Sequence, residues 1–147
     1  MEIRQMNFKD YDAVYGLWTS CTGMRLNGLD DSREGIETFL RRNPDTCFVA
    51  VAGDGRVVGA ILGGNDGRRG YLYHTAVHPD FRKQGIGRRL VEKTLEAFEA
   101  CGIHKVALVA FERNREGNLF WAKMGFSPRE DLVYRNRALA EMTLTDT

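Results

Sequence analysis

Proline is scarce, with three residues in a chain of 147, and no stretch has the proline-, serine- or charge-rich composition of an interdomain linker. Neither an internal repeat nor a low-complexity segment is present, so residues 1–147 are expected to form one domain, long enough to bury a full core. Cysteine is sparse too: Cys21, Cys47 and Cys101 are odd in number, scattered and without metal-ligand spacing. That pattern excludes a disulfide framework and a cysteine metal site, and predicts reduced thiols in a cytoplasmic protein. No apolar run is long enough to span a bilayer and no signal peptide opens the chain, so no membrane partner is expected. Charge of one sign is missing as well, the net being +1. A nucleic-acid-binding surface normally shows a strong basic excess, so none is expected here. The basic residues instead gather at Arg68-Arg69 and between Arg82 and Arg89, which suits a small polyanion. Finally, no carboxylate lies between Gly67 and His78.

What is present is 43% hydrophobic and 28% charged, the balance of a globular protein. Met1 to Met6 suits a short opening strand. Asn7, with Asp10 three residues on, reads as a capping box for a helix whose apolar face is Tyr11, Val14, Leu17, Trp18 and Cys21. A loop, Thr22 to Asp31, precedes a second helix over Ser32–Arg42 that Asn43-Pro44 stops. Cys47–Ala52 reads as a buried strand, Gly53-Asp54-Gly55 as a hairpin turn, Arg56–Leu62 as the return strand and Gly63–Gly67 as another turn. A strand over Gly70–Val77 feeds a helix with apolar positions Ile86, Leu90, Val91, Leu95 and Phe98, ended by Cys101-Gly102. Lys105–Ala110 is expected as a buried strand parallel to the previous one through a right-handed crossover. A last helix spans Asn114 to Met124, and Phe126 to Tyr134 reads as a final strand. The fold class predicted is an α/β layered domain with a mixed, mostly antiparallel sheet flanked by helices.

The stretch from Val77 to Leu90 stands out. Pro79 ends the strand because it cannot donate a ladder hydrogen bond. Gly85 and Gly87 strip side chains from the start of the following helix, where main-chain N–H groups lack intrahelical partners and meet the positive end of the dipole. Arg82, Lys83, Arg88 and Arg89 surround that opening, so the pattern asks for a phosphate or pyrophosphate. It is not a nucleotide P-loop, because no Gly-Lys-Ser/Thr follows. Nor is it a dinucleotide fingerprint, which needs a third glycine and a later acid.

Val77-x-Pro79-x-x-Arg82-x-x-Gly85-x-Gly87 after a strand resembles the pyrophosphate motif of the GCN5-related N-acetyltransferases. A second match is Asn114…Trp121…Gly125-Phe126. The resemblance covers about the second half of the chain and implies an acetyl-CoA-dependent N-acetyltransferase. By that resemblance acetyl-CoA, the co-substrate, is bound by Arg82, Lys83, Gln84, Gly85, Ile86, Gly87 and Arg88 around its pyrophosphate. Ala76 and Val77 are expected to pair with its pantetheine and polarise the acetyl carbonyl, and Asn114 and Trp121 to line it further on. An amine would attack the thioester directly with both substrates bound.

Two departures from the family pattern matter. Trp121 stands where the family commonly has a tyrosine, and an indole N–H donates a hydrogen bond but does not titrate. Trp121 therefore either walls the acetyl pocket or only packs. No glutamate precedes the phosphate turn; Tyr71 and Tyr73 occupy the matching positions, with Tyr73 expected to bind substrate or a water at the reacting centre. Strand alternation places Tyr71, Tyr73, Thr75 and Val77 on one face and Leu72, His74 and Ala76 on the other. His74 has the chemistry of a base, but a lone histidine on an apolar face is more often structural. Asp66 and Glu112 also flank the strands. Trp18, Asp30, Asp31 and Tyr71 are the candidates for acceptor recognition, with Arg68-Arg69 as a basic pair. Weak base equipment favours amines of low pKa, so the partner expected is a small amino compound or a peptide N-terminus. The oligomeric expectation is a monomer or homodimer. Two rival readings are an acyl-CoA-binding module without turnover and a nucleotide- or phosphosugar-binding protein.

Overall fold

The computed structural model describes every residue from Met1 to Thr147. The first strand, β1 (Glu2–Gln5), leads into a single 3-10 turn over Phe8–Asp10 and then α1 (Tyr11–Thr19). The capping box is formed as expected: Asn7 Oδ1 accepts from the Lys9 N–H and the Asn7 N–H donates to Asp10. After a short β2 (Leu26–Asn27) comes α2 (Arg33–Arg42), whose first turn is capped by Ser32. Three consecutive antiparallel strands follow, β3 (Phe48–Val51), β4 (Val57–Asn65) and β5 (Gly70–Val77). Beyond a second 3-10 turn, α3 (Ile86–Ala100) returns the chain to β6 (Val106–Ala107), which pairs with β5 in parallel. Then come α4 (Arg115–Lys123) and β7 (Leu144–Thr145).

The main sheet runs β1-β3-β4-β5-β6, and apolar side chains leave it on both faces. On one face Val49, Ala60, Leu62 and Ala76 meet Val14, Leu17 and Trp18 of α1 and Ile36 and Leu40 of α2. On the other, Phe48, Ala50, Val58, Ile61 and Leu72 meet Ile86, Leu90, Val91 and Phe98 of α3. Each fully buried large side chain, such as Trp18 or Phe98, contributes roughly 2–3 kcal/mol of hydrophobic stabilisation. The α/β layered architecture is the one expected. No helix is long and apolar enough to cross a membrane.

Four expectations are corrected. Gly63, Gly64 and Asn65 are not a turn; they extend β4. A Cβ on Gly63 would sit 2.5 Å from the Thr46 carbonyl oxygen, and one on Gly64 would sit 2.7 Å from Phe39 Cζ. These glycines serve close packing of helix and strand against the sheet rather than chain reversal. The strand expected over Lys105–Ala110 is ordered as β-structure only at Val106–Ala107, because β6 leaves β5 after Tyr71↔Ala107. Phe126 to Tyr134 forms no strand. Its β-branched and aromatic residues pair with no strand, and Leu132, Val133 and Tyr134 are 60%, 73% and 67% exposed. The strand that does form near the C-terminus is β7, which pairs with β2 inside the segment read as a loop.

The fourth correction concerns β5. Its register against β4 shifts between Ala60↔Ala76 and Leu62↔Tyr73, so two residues, His74 and Thr75, oppose Ile61 alone. This is a β-bulge, and His74 takes a left-handed backbone at φ 44° to make it. A bulge breaks the two-residue alternation. Leu72 and Val77 therefore pack toward α3, whereas Ala76 packs toward α1 and α2. His74 contacts Trp18, and Tyr73 contacts Phe39, on that same α1/α2 face.

Candidate functional site

The bulge and the turn that follows β5 define one end of the sheet. After Val77 the chain makes the 3-10 turn Pro79–Phe81, in which His78 Nδ1 accepts from the Asp80 N–H at 3.1 Å. Arg82 Nε then donates back to the Val77 carbonyl at 3.1 Å, tying the turn to the strand end. Lys83 (φ 62°) and Gly85 (φ 79°) both adopt left-handed backbone, an alternation found in main-chain anion nests. For a lysine this conformation costs on the order of 1 kcal/mol or more, as is usual at functional turns. No side chain caps α3, no acid lies in its first turn, and the first main-chain bond there is from Arg89 N–H to Gly85 O. The amides of Ile86, Gly87 and Arg88 consequently have no protein partner.

The two glycines of this turn have different reasons. A Cβ on Gly85 would meet nothing within 4 Å, so the space above it is open, and its positive φ itself demands glycine. A Cβ on Gly87 would press on Phe120 at 3.3 Å, so Gly87 admits α4 against α3. The four cations also divide. Arg82 is held by Val77, Arg88 is paired with Glu92 at 2.8 Å, and Lys83 and Arg89 form no ion pair.

Beside this turn, the sheet is open. β5 pairs with β6 only at Gly70↔Val106 and Tyr71↔Ala107, leaving the β6-facing main chain of β5 from Leu72 to Val77 without a strand partner. A slender extended molecule with amide groups could therefore add to β5 there, with an anionic end at the turn. The donors and acceptors present fit a pantetheine arm and its pyrophosphate.

The α1/α2 face of the bulge carries a cluster of polar and aromatic side chains. Asp31, 4% exposed, accepts through Oδ1 from His74 Nε2 at 2.7 Å and through Oδ2 from the Asn27 N–H at 2.8 Å. Tyr11 Oη donates to the Asp31 carbonyl at 2.7 Å, fixing the loop to α1. Trp18 packs edge-on against His74, with ring centroids 5.0 Å apart; it is completely buried and its indole N–H has no partner. Tyr71 and Tyr73 lie 4.6 Å apart, and Phe39 meets Tyr73 edge-on at 5.8 Å. Burial, and then the neighbouring Tyr134 phenol, push both tyrosines above their usual range; Asp30 adds to this at Tyr73. Both phenols are thus neutral hydrogen-bonding groups at physiological pH.

Of the residues singled out from sequence, the structure brings Trp18, Asp30, Asp31, Tyr71 and Tyr73 to one face, and Ala76 and Val77 to the strand end that adjoins the turn from Arg82 to Arg88. Asn114 caps α4, its Oδ1 accepting from the Gly117 N–H at 3.0 Å. Trp121 packs between Phe120 and Phe126, edge-on at 5.0 and 5.3 Å. Asp66 is occupied in its own turn, accepting from the Arg69 and Arg68 amides, which hold its carboxyl below the usual range. Glu112 lies on an exposed loop before α4. The Asp31–His74 pair was missed as a unit, because its members are 43 residues apart and only the bulge turns His74 to meet Asp31. Phe39 and Tyr134 were missed for the same reason of distance. No group of His, Cys, Asp and Glu has the arrangement of a metal site.

Comparison with known proteins agrees with this geometry. The family model described as "Acetyltransferase (GNAT) family" matches residues 11–126. An acetyltransferase of Pectobacterium atrosepticum is 39% identical over 114 residues, which cover 78% of this chain and 79% of that protein. Among solved structures, Ard1 from Thermoplasma volcanium superposes with a TM-score of 0.76 at 25% identity, covering 86% of this chain and 82% of its own. The fold is shared too with AAC(6')-Iy bound to a CoA-based bisubstrate analogue, at a TM-score of 0.72 and 24% identity, covering 93% and 98% of the two chains. The open edge of β5, the uncapped start of α3 and these likenesses together place the chain in the GNAT family, as an N-acetyltransferase with acetyl-CoA as co-substrate.

Proposed function

We propose that the acetyl group goes to a primary amine of low pKa, a small α-amino compound or a peptide N-terminus, held on the α1/α2 face of the β5 bulge. The observation that carries this reading is the position of the bulge: it lies where β5 parts from β6, between the open strand edge and the face bearing Tyr71, Tyr73 and His74. Acetyl-CoA would lie along that edge, with its pyrophosphate at the amides of Gln84 to Arg88 and the charges of Lys83 and Arg89. The acetyl carbon then comes to the bulge, and the amine reaches it from the face lined by Phe39, Tyr73 and Asp30.

Energetics support the choice of amine. At pH 7 an α-amine of pKa near ~7.8 costs about 1 kcal/mol to deprotonate, and a lysine amine near ~10.4 costs about 4.6. β5 carries no carboxylate to offset the larger figure, and Asp31 on the neighbouring loop is already bonded to His74 and Asn27. Carboxylates on the Asp30–Asp31 loop still draw an ammonium group toward the bulge.

Thermal unfolding with saturating acetyl-CoA, followed by thiol release over a panel of amines, tests the reading. Ligand at a hundred times its dissociation constant adds about 2.7 kcal/mol, a rise of roughly 5–10 °C for a chain of this length. Turnover is expected with peptide α-amines or small amino compounds. Preference for lysine side chains over α-amines at neutral pH would overturn the acceptor, and stabilisation without thiol release from any amine would favour a binding module.

A further inference from the structure

We infer that His74, oriented by Asp31, is the proton acceptor for the attacking amine; this rests on the placement of the acceptor at the bulge proposed above. Three features carry it. A carboxylate only accepts hydrogen bonds, and Asp31 uses both oxygens, one on the Asn27 N–H and one on His74. His74 Nε2 therefore donates in the 2.7 Å contact, and in a neutral imidazole so bonded Nδ1 is the lone-pair nitrogen. Nδ1 has no protein partner and is not sealed in the interior, the His74 side chain being 20% exposed. Nucleophile, base and orienting group then stand in the order that activates a nucleophile elsewhere in enzymology, with the amine as nucleophile.

The fold spends conformational energy to put the ring there. A regular strand would have turned residue 74 to the α3 face; the bulge and the φ of 44° at a non-glycine residue turn it toward α1. Trp18 then packs edge-on against the imidazole and limits its rotation. The charged and titratable groups around the ring are few. Asp31 bonds the ring from the loop and Tyr73 is its neighbour on the strand, with Asp30 and Tyr134 close to Tyr73; Tyr11 of α1 holds the Asp31 carbonyl, with Arg33 stacked over it.

In the step itself the amine lone pair forms the new C–N bond to the thioester carbonyl carbon. The C–S bond breaks and sulfur leaves as the thiolate. The surplus proton on nitrogen passes to His74 Nδ1, and the resulting imidazolium faces the Asp31 carboxylate. That proton then returns to the thiolate or to water, restoring the starting state. Atoms and charge balance without any further reactant.

The test uses His74→Gly, since glycine accepts the left-handed backbone at this position, and leaves a cavity the size of the ring. The wild-type protein is first shown to release thiol with an α-amine; failure there would remove the acceptor reading beneath this one, not the assignment of His74. In His74→Gly, turnover should fall by about 10²–10⁴-fold, with the acetyl-CoA-induced rise in Tm retained. Added imidazole should restore part of the rate, and the loss should deepen with acceptors of higher pKa. Asp31→Asn should lower kcat by a smaller factor without changing KM for acetyl-CoA. Turnover of His74→Gly within threefold of wild type, or a loss that imidazole leaves unchanged while the acetyl-CoA shift persists, would overturn the inference.

Discussion

The main-chain N–H of Asn27 donates to Asp31 Oδ2 at 2.8 Å, so the residue that closes β2 also holds the carboxylate that meets His74. Asn27 further accepts through Oδ1 from the Leu29 and Asp30 amides, and Leu144 of β7 pairs with it from the other side. The loop from Asn27 to Asp31 is thus built on one strand residue whose own partner lies more than a hundred residues away.

Asn27→Ala removes the side-chain bonds to Leu29 and Asp30 but keeps the main-chain bond to Asp31. Each lost exposed bond is worth about 0.5–1.5 kcal/mol. The expected outcome is a small fall in Tm with a larger fall in turnover, because the loop loses its register while the core is untouched. Acetyl-CoA affinity, measured by calorimetry, should stay near the wild-type value.

Gly85→Glu should abolish the acetyl-CoA-induced rise in Tm. It puts a side chain and a negative charge over the unpartnered amides proposed to hold the pyrophosphate, at a backbone angle that costs an L-residue about 1–2 kcal/mol. Gly85→Ala carries the strain without the charge and separates the two effects. The alanine variant should lose about that much stability and keep part of the ligand shift.

Gly63 and Gly64 should differ in tolerance although they are adjacent. A Cβ on Gly63 meets a main-chain oxygen at 2.5 Å, which cannot give way without moving backbone, and Thr94 Cγ2 at 2.8 Å. Gly63→Ala should therefore cost about 2–3 kcal/mol, at the upper end for overpacking. At Gly64 the obstacle is the far edge of the Phe39 ring, so Gly64→Ala should cost less. Phe39→Leu should recover much of the Gly64→Ala loss and none of the Gly63→Ala loss, which a double-mutant cycle by urea unfolding reads directly.

Asp10 gives a pH dependence of known sign. Burial raises its pKa, but the hydrogen bonds from Arg4 at 2.9 Å and from the Asn7 amide outweigh that and hold the carboxyl below the usual range. A depressed carboxylate stabilises the fold above its unfolded value near ~3.9, and the contribution is lost as pH falls through the folded value. Asp10→Asn should lower stability at pH 7 by about 1–2 kcal/mol. Below about pH 4 the gap from wild type should narrow, as urea midpoints across the acid range would show.

Apart from the short β2, the sequence carried the order of strands and helices through α3, the capping box at Asn7, the stop at Asn43-Pro44 and the glycine turn after Val77, because each is a local matter of periodicity, caps and backbone angles. The pattern from Val77 to Gly87 was enough to point at acetyl-CoA, since its chemistry lies within eleven consecutive residues. Local preference failed wherever a long-range partner decided the outcome. Leu132-Val133-Tyr134 has the composition of a strand but pairs with none, while the unremarkable Leu144–Thr145 pairs with β2. Gly63-Gly64 has the composition of a turn but is a strand pressed close to Thr46 and Phe39. Above all, alternation put His74 with Leu72 on one face, and a single extra residue in β5 turned it to the opposite face and onto Asp31. A bulge is chosen by the fit of two strands and the helices above them, not by the residues at the bulge alone. The glycine turn after β5 was therefore a property of the sequence, and the Asp31–His74 face of the bulge a property of the tertiary structure.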